Sequence, residues 1–183
     1  MIWTNNGEPA VNRIVDVTFD EGTVTEPVTV AEAQAYCRVQ TGTAEDSLFA
    51  ILITAARNAM EKATGLSLVS KTVHFTAYNY CGHFPILYGP VVSGLVIKDT
   101  NGVAIDCTVL GTDFPEIEDA FDDWFSVDFT GGYTTNIPAE LKIAILAQVN
   151  FMYENRGDNS DGVTMCQTAS NMALKYSRIP IIF

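Results

Sequence analysis

The stretch between Thr43 and Gly65 restricts the fold more than any other part of the sequence. Thr43 is a good N-cap, and Gly65 can take the left-handed conformation that ends a helix. The pattern predicts a helix over 44–64, about 30 Å long at ~1.5 Å per residue. Apolar residues cover roughly 200° of its surface at about 100° per residue, which is far more than one buried side needs. We therefore expect this helix to pack on its own fold and also on a neighbouring chain. A single polar stripe interrupts its apolar surface, formed by Thr54, Arg57, Asn58 and Glu61.

Two further helices are predicted, one on each side of a long middle region. Thr29 and Glu32 have the spacing of a capping box, which opens a short helix over 30–38. Pro138 suits the first turn of a helix over 139–155. This last helix is apolar nearly all round, so we expect it to be buried on every side.

The middle region, about 70–130, has the alternating pattern of β-strands. Residues 72–78 and 124–130 alternate between apolar and polar side chains, as half-buried strands do. Two strands, 91–98 and 103–110, flank Asn101-Gly102, which is a strong hairpin signal. The chain as a whole is predicted to be α+β, with a mainly helical core and a β insertion that contains a hairpin.

Three parts are predicted along the chain. Residues 1–27 form an extended N-terminal arm with one short strand at 13–19, and residues 28–156 form the folded domain. Residues 157–183 form a linker and a C-terminal tail that ends in the apolar sequence IPIIF. We expect the tail to be disordered from about Thr164 and to become ordered on a partner, because a free apolar end lowers solubility.

Composition indicates a protein that is largely covered by other protein chains. Only 17% of the 183 residues are charged, against roughly 25% in ordinary soluble domains, while 48% are hydrophobic. The net charge of −12 argues against a sequence-specific DNA-binding protein, which needs a basic surface. The start lacks the pattern of a signal peptide, no apolar run is long enough for a membrane span, and the four cysteines lie far apart. These features predict an intracellularly made, non-secreted protein with reduced thiols and no membrane contact.

The sequence contains no convincing catalytic or metal-binding motif. Cys81 and His83, with His74 nearby, are too few for a zinc site. An acidic run lacks the spacing of a calcium loop and is formed by Asp113, Glu116, Glu118, Asp119, Asp122 and Asp123. We predict no enzyme activity, no metal and no cofactor. Two alternatives stay open: a metal-dependent enzyme that uses the acidic run with His74 and His83, and an unrelated oligomeric binding domain.

Several short motifs, in their order and spacing, resemble the head–tail connector (adaptor) family of tailed bacteriophages. The resemblance extends over 28–156 and the tail, about three-quarters of the chain. It is carried by Val28–Ala33, Asp46–Gly65, Pro85–Val91, Phe129–Tyr133, Ile137–Pro138, Leu141–Ile145, Tyr153–Arg156 and Tyr176–Pro180.

The resemblance implies a structural virion protein. Such adaptors form a ring of roughly twelve subunits between the portal and the tail or stopper. The ring sits in the neck at the head–tail junction, is assembled in the host cytoplasm, and extends the channel through which DNA passes without specific binding. The residues then expected to contact the portal are Tyr176, Arg178, Ile179, Pro180, Ile181, Ile182 and Phe183. Those expected at the contacts between subunits are Leu48, Phe49, Ile53, Ile143, Leu146 and Phe151.

Overall fold

The chain folds into two compact units, one of strands and one of helices. A computed structural model describes residues 13–22, 24–42, 44–78, 83–111, 115–118, 124–156 and 165–177. The β unit comprises residues 1–24 and 70–132, and the helical unit comprises residues 25–69 and 133–183. The α+β class predicted from the sequence is confirmed.

Where the structure describes the β unit, its strands form two antiparallel sheets. Its strands are β1 (Arg13–Asp20), β2 (Lys71–Tyr78), β3 (His83–Pro85), β4 (Val91–Asp99), β5 (Thr108–Leu110), β6 (Glu116–Glu118) and β7 (Trp124–Gly131). The larger sheet has the order β1-β2-β7-β4, and the smaller sheet has the order β3-β6-β5. The strand expected within the N-terminal arm is β1, which pairs along its length with β2.

Side chains from both sheets form the core of the β unit. Alternate residues of β2 and β7 are buried, as the period of two in their sequences predicts. Phe75 of the larger sheet lies 6.0 Å from Phe84 of the smaller sheet, and Phe84 lies 5.0 Å from Phe125, both between ring centroids. Aromatic pairs at these separations add to the stabilisation that comes from burial alone.

The predicted hairpin forms its turn but not its full second strand. The Asp99 carboxylate accepts hydrogen bonds from the N–H groups of Asn101 (2.9 Å) and Val103 (2.8 Å), and Gly102 takes a φ of 80°. After one bridge between Lys98 and Ala104, the chain leaves β4, and β5 pairs with β6 instead. The prediction of one continuous strand over 103–110 is therefore wrong. Alternation indicates a strand but does not specify its partner.

In the described residues of the helical unit, four helices surround an apolar core. They are α1 (Val30–Tyr36), α2 (Asp46–Thr64), α3 (Ala139–Glu154) and α4 (Gln167–Tyr176). Helices α2, α3 and α4 pack on one another, and α1 packs on α2 and α3. Within the described parts of the chain, no helix combines the length and apolar character needed to cross a membrane.

Most predicted helix ends lie within two residues of the observed ones. The capping box of α1 is confirmed: the Glu32 N–H donates to the Thr29 hydroxyl (3.2 Å), and the Thr29 N–H donates to the Glu32 carboxylate (2.7 Å). The bond from the Thr29 N–H, and then one from the Thr29 hydroxyl (2.8 Å), hold the pKa of the Glu32 carboxyl below its ordinary value. The end of α2 at Gly65 is also confirmed, with a φ of 70°. Its start is Asp46 rather than residue 44, and the predicted cap Thr43 lies outside the described residues.

Two residues of the polar stripe of α2, Arg57 and Glu61, are buried in the helical unit, while Asn58 is exposed. Arg57, which is 1% exposed, donates to a carboxylate oxygen of Glu26 (3.0 Å) and to one of Glu61 (3.2 Å). The other oxygen of Glu61 accepts the N–H of Leu68 (2.6 Å), and the Thr54 hydroxyl donates to Glu26 (2.8 Å). Buried charges need such partners. Here they come from segments before and after the helix, which the pattern of α2 alone does not reveal.

The expectation of a disordered tail from Thr164 is wrong for residues 167–176, which form α4. Two small residues one turn apart, Ala169 and Ala173, are its buried side chains. The Cys166 sulfur accepts the N–H of Ala169 (3.5 Å) and caps the helix. Met172 and Tyr176 are half-buried and also pack against the core, but the fully buried positions of this short helix are alanines, which give only a weak apolar pattern in the sequence.

Candidate interaction surfaces

The predicted subunit-contact residues of α2 divide into core and surface. Phe49 and Ile53 are 0% and 1% exposed, and both belong to the core of the helical unit. Side chains that are fully covered within the subunit cannot contact a neighbour, so this part of the prediction is corrected. Leu48 is half-buried, and Ile51, which the prediction omitted, is 67% exposed. Its place in the wide apolar arc of α2 was the signal that could have identified it.

Helix α3 exposes apolar surface, contrary to the expectation that it is buried on every side. Ile143 is 47% exposed, and Phe151 is half-buried. Leu146 is half-buried and packs against the core of the helical unit. The sequence correctly indicates a helix apolar all round, but the four helices of the unit cover only part of it.

The end of α4 lies against the start of α3. The Lys175 ammonium donates to one carboxylate oxygen of Glu140 (2.6 Å), and the Tyr176 hydroxyl donates to the other. These contacts hold the pKa of Glu140 below its ordinary value and raise the pKa values of Lys175 and Tyr176. Tyr176 is the one predicted portal-contact residue within the described part of the chain. Residues 178–183 lie outside it.

A second polar cluster connects the other end of α3 to the start of α2. The Tyr153 hydroxyl donates to one Glu45 oxygen (2.8 Å), and Arg156 donates to the other (3.4 Å). The Arg156 guanidinium also lies 4.1 Å from the centre of the Tyr153 ring. The hydrogen bond to Glu45 raises the pKa of Tyr153.

The residues of the rival metal-enzyme hypothesis contact separate partners. His74 Nδ1 lies 2.6 Å from an oxygen of Asp128, whose other oxygen accepts the Lys98 ammonium (2.7 Å). The bonds from Lys98 and then from His74 lower the pKa of Asp128. His83 Nδ1 is 3.8 Å from a Glu116 oxygen. Among the described residues, no group of three or more His, Cys, Asp or Glu side chains is placed to hold a metal ion. Four residues of the hypothesis lie outside the described part of the chain, namely Asp113, Asp119, Asp122 and Asp123.

Charge is distributed very unevenly between the two units. The residues of the β unit include thirteen acidic and three basic side chains, which gives a net charge of −10. Those of the helical unit include nine acidic and seven basic ones, a net charge of −2. Of the three basic residues of the β unit, Lys71 is buried and Lys98 is paired with Asp128. The acidic character of the protein is therefore mainly that of the β unit.

Comparison with known proteins finds similarity in structure alone. No protein-family model matches the sequence, and no curated protein matches it. Three solved structures contain chains of similar fold, and the alignment covers 90% of this chain and 97% of each of theirs. They are "Neck of empty GTA particle computed with C6 symmetry" (21% identity, TM-score 0.65), "Virion of native gene transfer agent (GTA) particle" (21%, 0.64) and "Neck of native GTA particle computed with C12 symmetry" (17%, 0.60).

The chain therefore has the fold of a chain found in the neck and virion of gene transfer agent particles. The alignment takes in nearly the whole length of both chains. It agrees with the resemblance to head–tail connectors that the sequence motifs carry.

Proposed function

We propose that this protein is a structural subunit of the neck of a phage-like particle. In this role it forms a ring adaptor between the portal and the tail or stopper and extends the DNA channel. The shared fold, with TM-scores of 0.60 to 0.65 and 97% coverage of the neck chains, is the observation that supports the proposal. Its function is assembly rather than catalysis, and its place is the virion neck after assembly in the host cytoplasm.

A ring needs two complementary faces on each subunit, because one subunit contacts the next head to tail. The helical unit offers apolar surface on two helices: Leu48 and Ile51 on α2, and Ile143 and Phe151 on α3. We assign these faces to contacts between neighbouring subunits. A ring of roughly twelve copies is compatible with the C12 and C6 symmetries named for the similar neck structures.

The portal contact is assigned to the end of the chain. Residues 178–183, with the sequence Arg-Ile-Pro-Ile-Ile-Phe, follow α4 directly and carry an apolar end. A short apolar segment bound in a groove of the portal would remove that surface from water. DNA would pass through the ring without specific binding, since the protein has a net charge of −12.

Electron microscopy of the purified protein, alone and mixed with its portal, tests this function. We expect ring-shaped particles in at least the mixture, with one ring per portal. The I143D variant should lose the rings, because a carboxylate at a subunit contact is desolvated without a partner. N171D is a matched control that places the same charge on an exposed position of α4. Monomers by native mass spectrometry under both conditions would contradict the proposal.

A further inference from the structure

Helices α2 and α3 lie antiparallel within the subunit. The Tyr153 hydroxyl, near the end of α3, donates to Glu45, which directly precedes α2 (2.8 Å). At the opposite end, the Tyr133 N–H, before α3, donates to the carbonyl oxygen of Ser67, after α2 (3.3 Å). The rotation between neighbours in a ring of roughly twelve subunits turns each helix by only about 30°. Helix α2 of one subunit is therefore close to antiparallel to α3 of the next subunit as well.

The sides of α2 and α3 that point away from the core have nearly the same chemistry. Two residues correspond to about 200° of rotation on a helix, so Ile51 points away from the buried Phe49, and Ile143 points away from the buried Leu141. The outer face of α2 is fully exposed and consists of Ile51, Ala55, Asn58 and Lys62. The outer face of α3 has the same spacing, is exposed at both ends and half-buried between them, and consists of Ile143, Ala147, Asn150 and Glu154. Because the core lies between the two helices, these outer faces point away from each other, as the two faces of a head-to-tail contact must.

The large and small side chains of the two outer faces are complementary in an antiparallel arrangement. Isoleucine and alanine are four residues apart on both helices. When Ile51 of one subunit faces Ala147 of the next, Ala55 of the first therefore faces Ile143 of the second. Each isoleucine then packs on an alanine, which is how facing layers of side chains interdigitate. The contact removes from water two isoleucines that are 67% and 47% exposed in the subunit.

Charge also favours a second copy of the helical unit as the partner of these faces. The helical unit has nine acidic and seven basic residues, whereas the β unit, with its net charge of −10, repels its own copies. In the antiparallel arrangement, Lys62 in the last turn of α2 lies beside the first turn of the neighbouring α3, which carries Glu140. At the other end, the first turn of α2 carries Asp46, and the end of α3 carries Glu154 and Arg156, so the charges there are mixed in sign.

We infer that the outer face of α2 in each subunit docks antiparallel on the outer face of α3 in the next subunit. The inference rests on the proposed function, because the ring determines the antiparallel direction, and it specifies which surface meets which. Neither face meets its own copy in this contact. Ala55 of one subunit and Ala147 of the next lie close together at its centre.

Cysteine cross-linking of rings assembled with the portal tests this pairing. In the A55C/A147C variant, a short bis-maleimide should join neighbouring subunits through residues 55 and 147 into a ladder of products that extends to the full ring. A mixture of A55C and A147C should give the same link in dimers only, because each subunit then has one of the two cysteines. The single variants alone are the matched controls, and peptide mass spectrometry separates the 55–147 link from links through the four native cysteines. A 55–55 or 147–147 link in a single variant would show that like faces meet and would overturn the inference.

Two outcomes separate this inference from the proposed function. Rings that are visible by electron microscopy but lack the 55–147 link would overturn the α2–α3 contact and leave the neck role standing. A wild type that forms no ring with the portal would overturn the neck role, and the inference with it. Should a cysteine variant fail to fold by circular dichroism, I51D and I143D replace it, since each places a charge on one exposed outer face. Loss of rings in both would support the inference, and rings formed by either variant alone would overturn it.

Discussion

At the scale of single residues, the polar stripe of α2 marks the limit of what sequence patterns reveal. The spacing of Arg57 and Glu61 correctly predicts that they share one side of the helix. It does not predict that this side is buried, because the partner Glu26 lies 31 residues away in sequence. The apolar Ile51 is exposed for the complementary reason, since the four helices leave its side of α2 uncovered. Local periodicity defines faces, while tertiary contacts decide which face is inside.

The burial of Arg57 leads to a prediction about stability. R57M should lower the free energy of unfolding by about 3–5 kcal/mol, because it removes the charge that compensates Glu26 and Glu61. Urea denaturation followed by circular dichroism measures the loss. K98M is the control, since Lys98 forms a more exposed pair and should cost at most about 1 kcal/mol. Equal losses in the two variants would contradict the assignment of Arg57 as a buried charge centre.

The contacts of Asp128 lead to a prediction about how the stability of the protein changes at acidic pH. Its folded-state pKa is depressed by Lys98 and His74, so its contribution to stability is fully present above the ordinary aspartate pKa of 3.8. That contribution is lost as the pH falls through the lower folded-state pKa. Wild type should therefore be more stable than D128N at pH 6, and the difference in melting temperature should shrink as the pH falls below 4. A difference that stays constant down to pH 2.5 would show that the ionised carboxylate is not the cause.

At the scale of elements, the sequence predicts those whose signals are local and misses those that depend on partners. The start of α1 and the end of α2 follow from Thr29 and Gly65, since a cap acts within a few residues. By contrast, the fully buried side chains of α4 are two alanines, and β5 pairs with a strand other than its predicted hairpin partner. The same division between local signals and tertiary contacts applies to the candidate interaction surfaces. Apolar surface on α2 and α3 is predictable, but the contact of Tyr176 with Glu140 requires the tertiary structure.

The presence of α4 leads to a prediction about shortening the chain. A protein truncated after Thr164 loses α4, which exposes the part of the core that Ala169, Met172 and Ala173 cover. We expect its free energy of unfolding to fall by at least about 2 kcal/mol, as for the loss of one large buried side chain. Thermal unfolding of this protein, compared with that of a protein truncated after Ser177, measures the loss of stability.

Truncation after Ser177 provides the comparison, because it keeps all of α4. The protein with this shorter deletion should have a melting temperature within about 2 °C of the full-length protein. This is the shift expected when the free energy of unfolding changes by a few tenths of a kcal/mol. If the two truncated proteins melt at the same temperature, α4 does not contribute to the stability of the helical unit.

At the scale of the whole molecule, net charge determines whether a ring of this protein would attract or repel DNA. Roughly twelve subunits of −12 carry about −144 in total (12 × −12). Most of it belongs to the β unit, with its net charge of −10. In that unit Lys71 and Lys98 already contact Glu21 and Asp128. Phosphates find few cations there, so the ring should repel a DNA duplex rather than hold it.

We therefore expect no measurable affinity for duplex DNA at ~150 mM salt, where the screening length is about 8 Å. Lower salt should strengthen the repulsion, whereas a protein that neutralises phosphates binds more tightly as salt falls. A gel-shift assay from about 20 to 200 mM salt distinguishes the two behaviours. E116K/E118K is a useful control, because it reverses two exposed charges on β6. At the lowest salt it should weaken the repulsion between the protein and duplex DNA. Tighter binding by the wild type at low salt would reveal a basic surface in the assembled ring, and would contradict a channel through which DNA slides without being held.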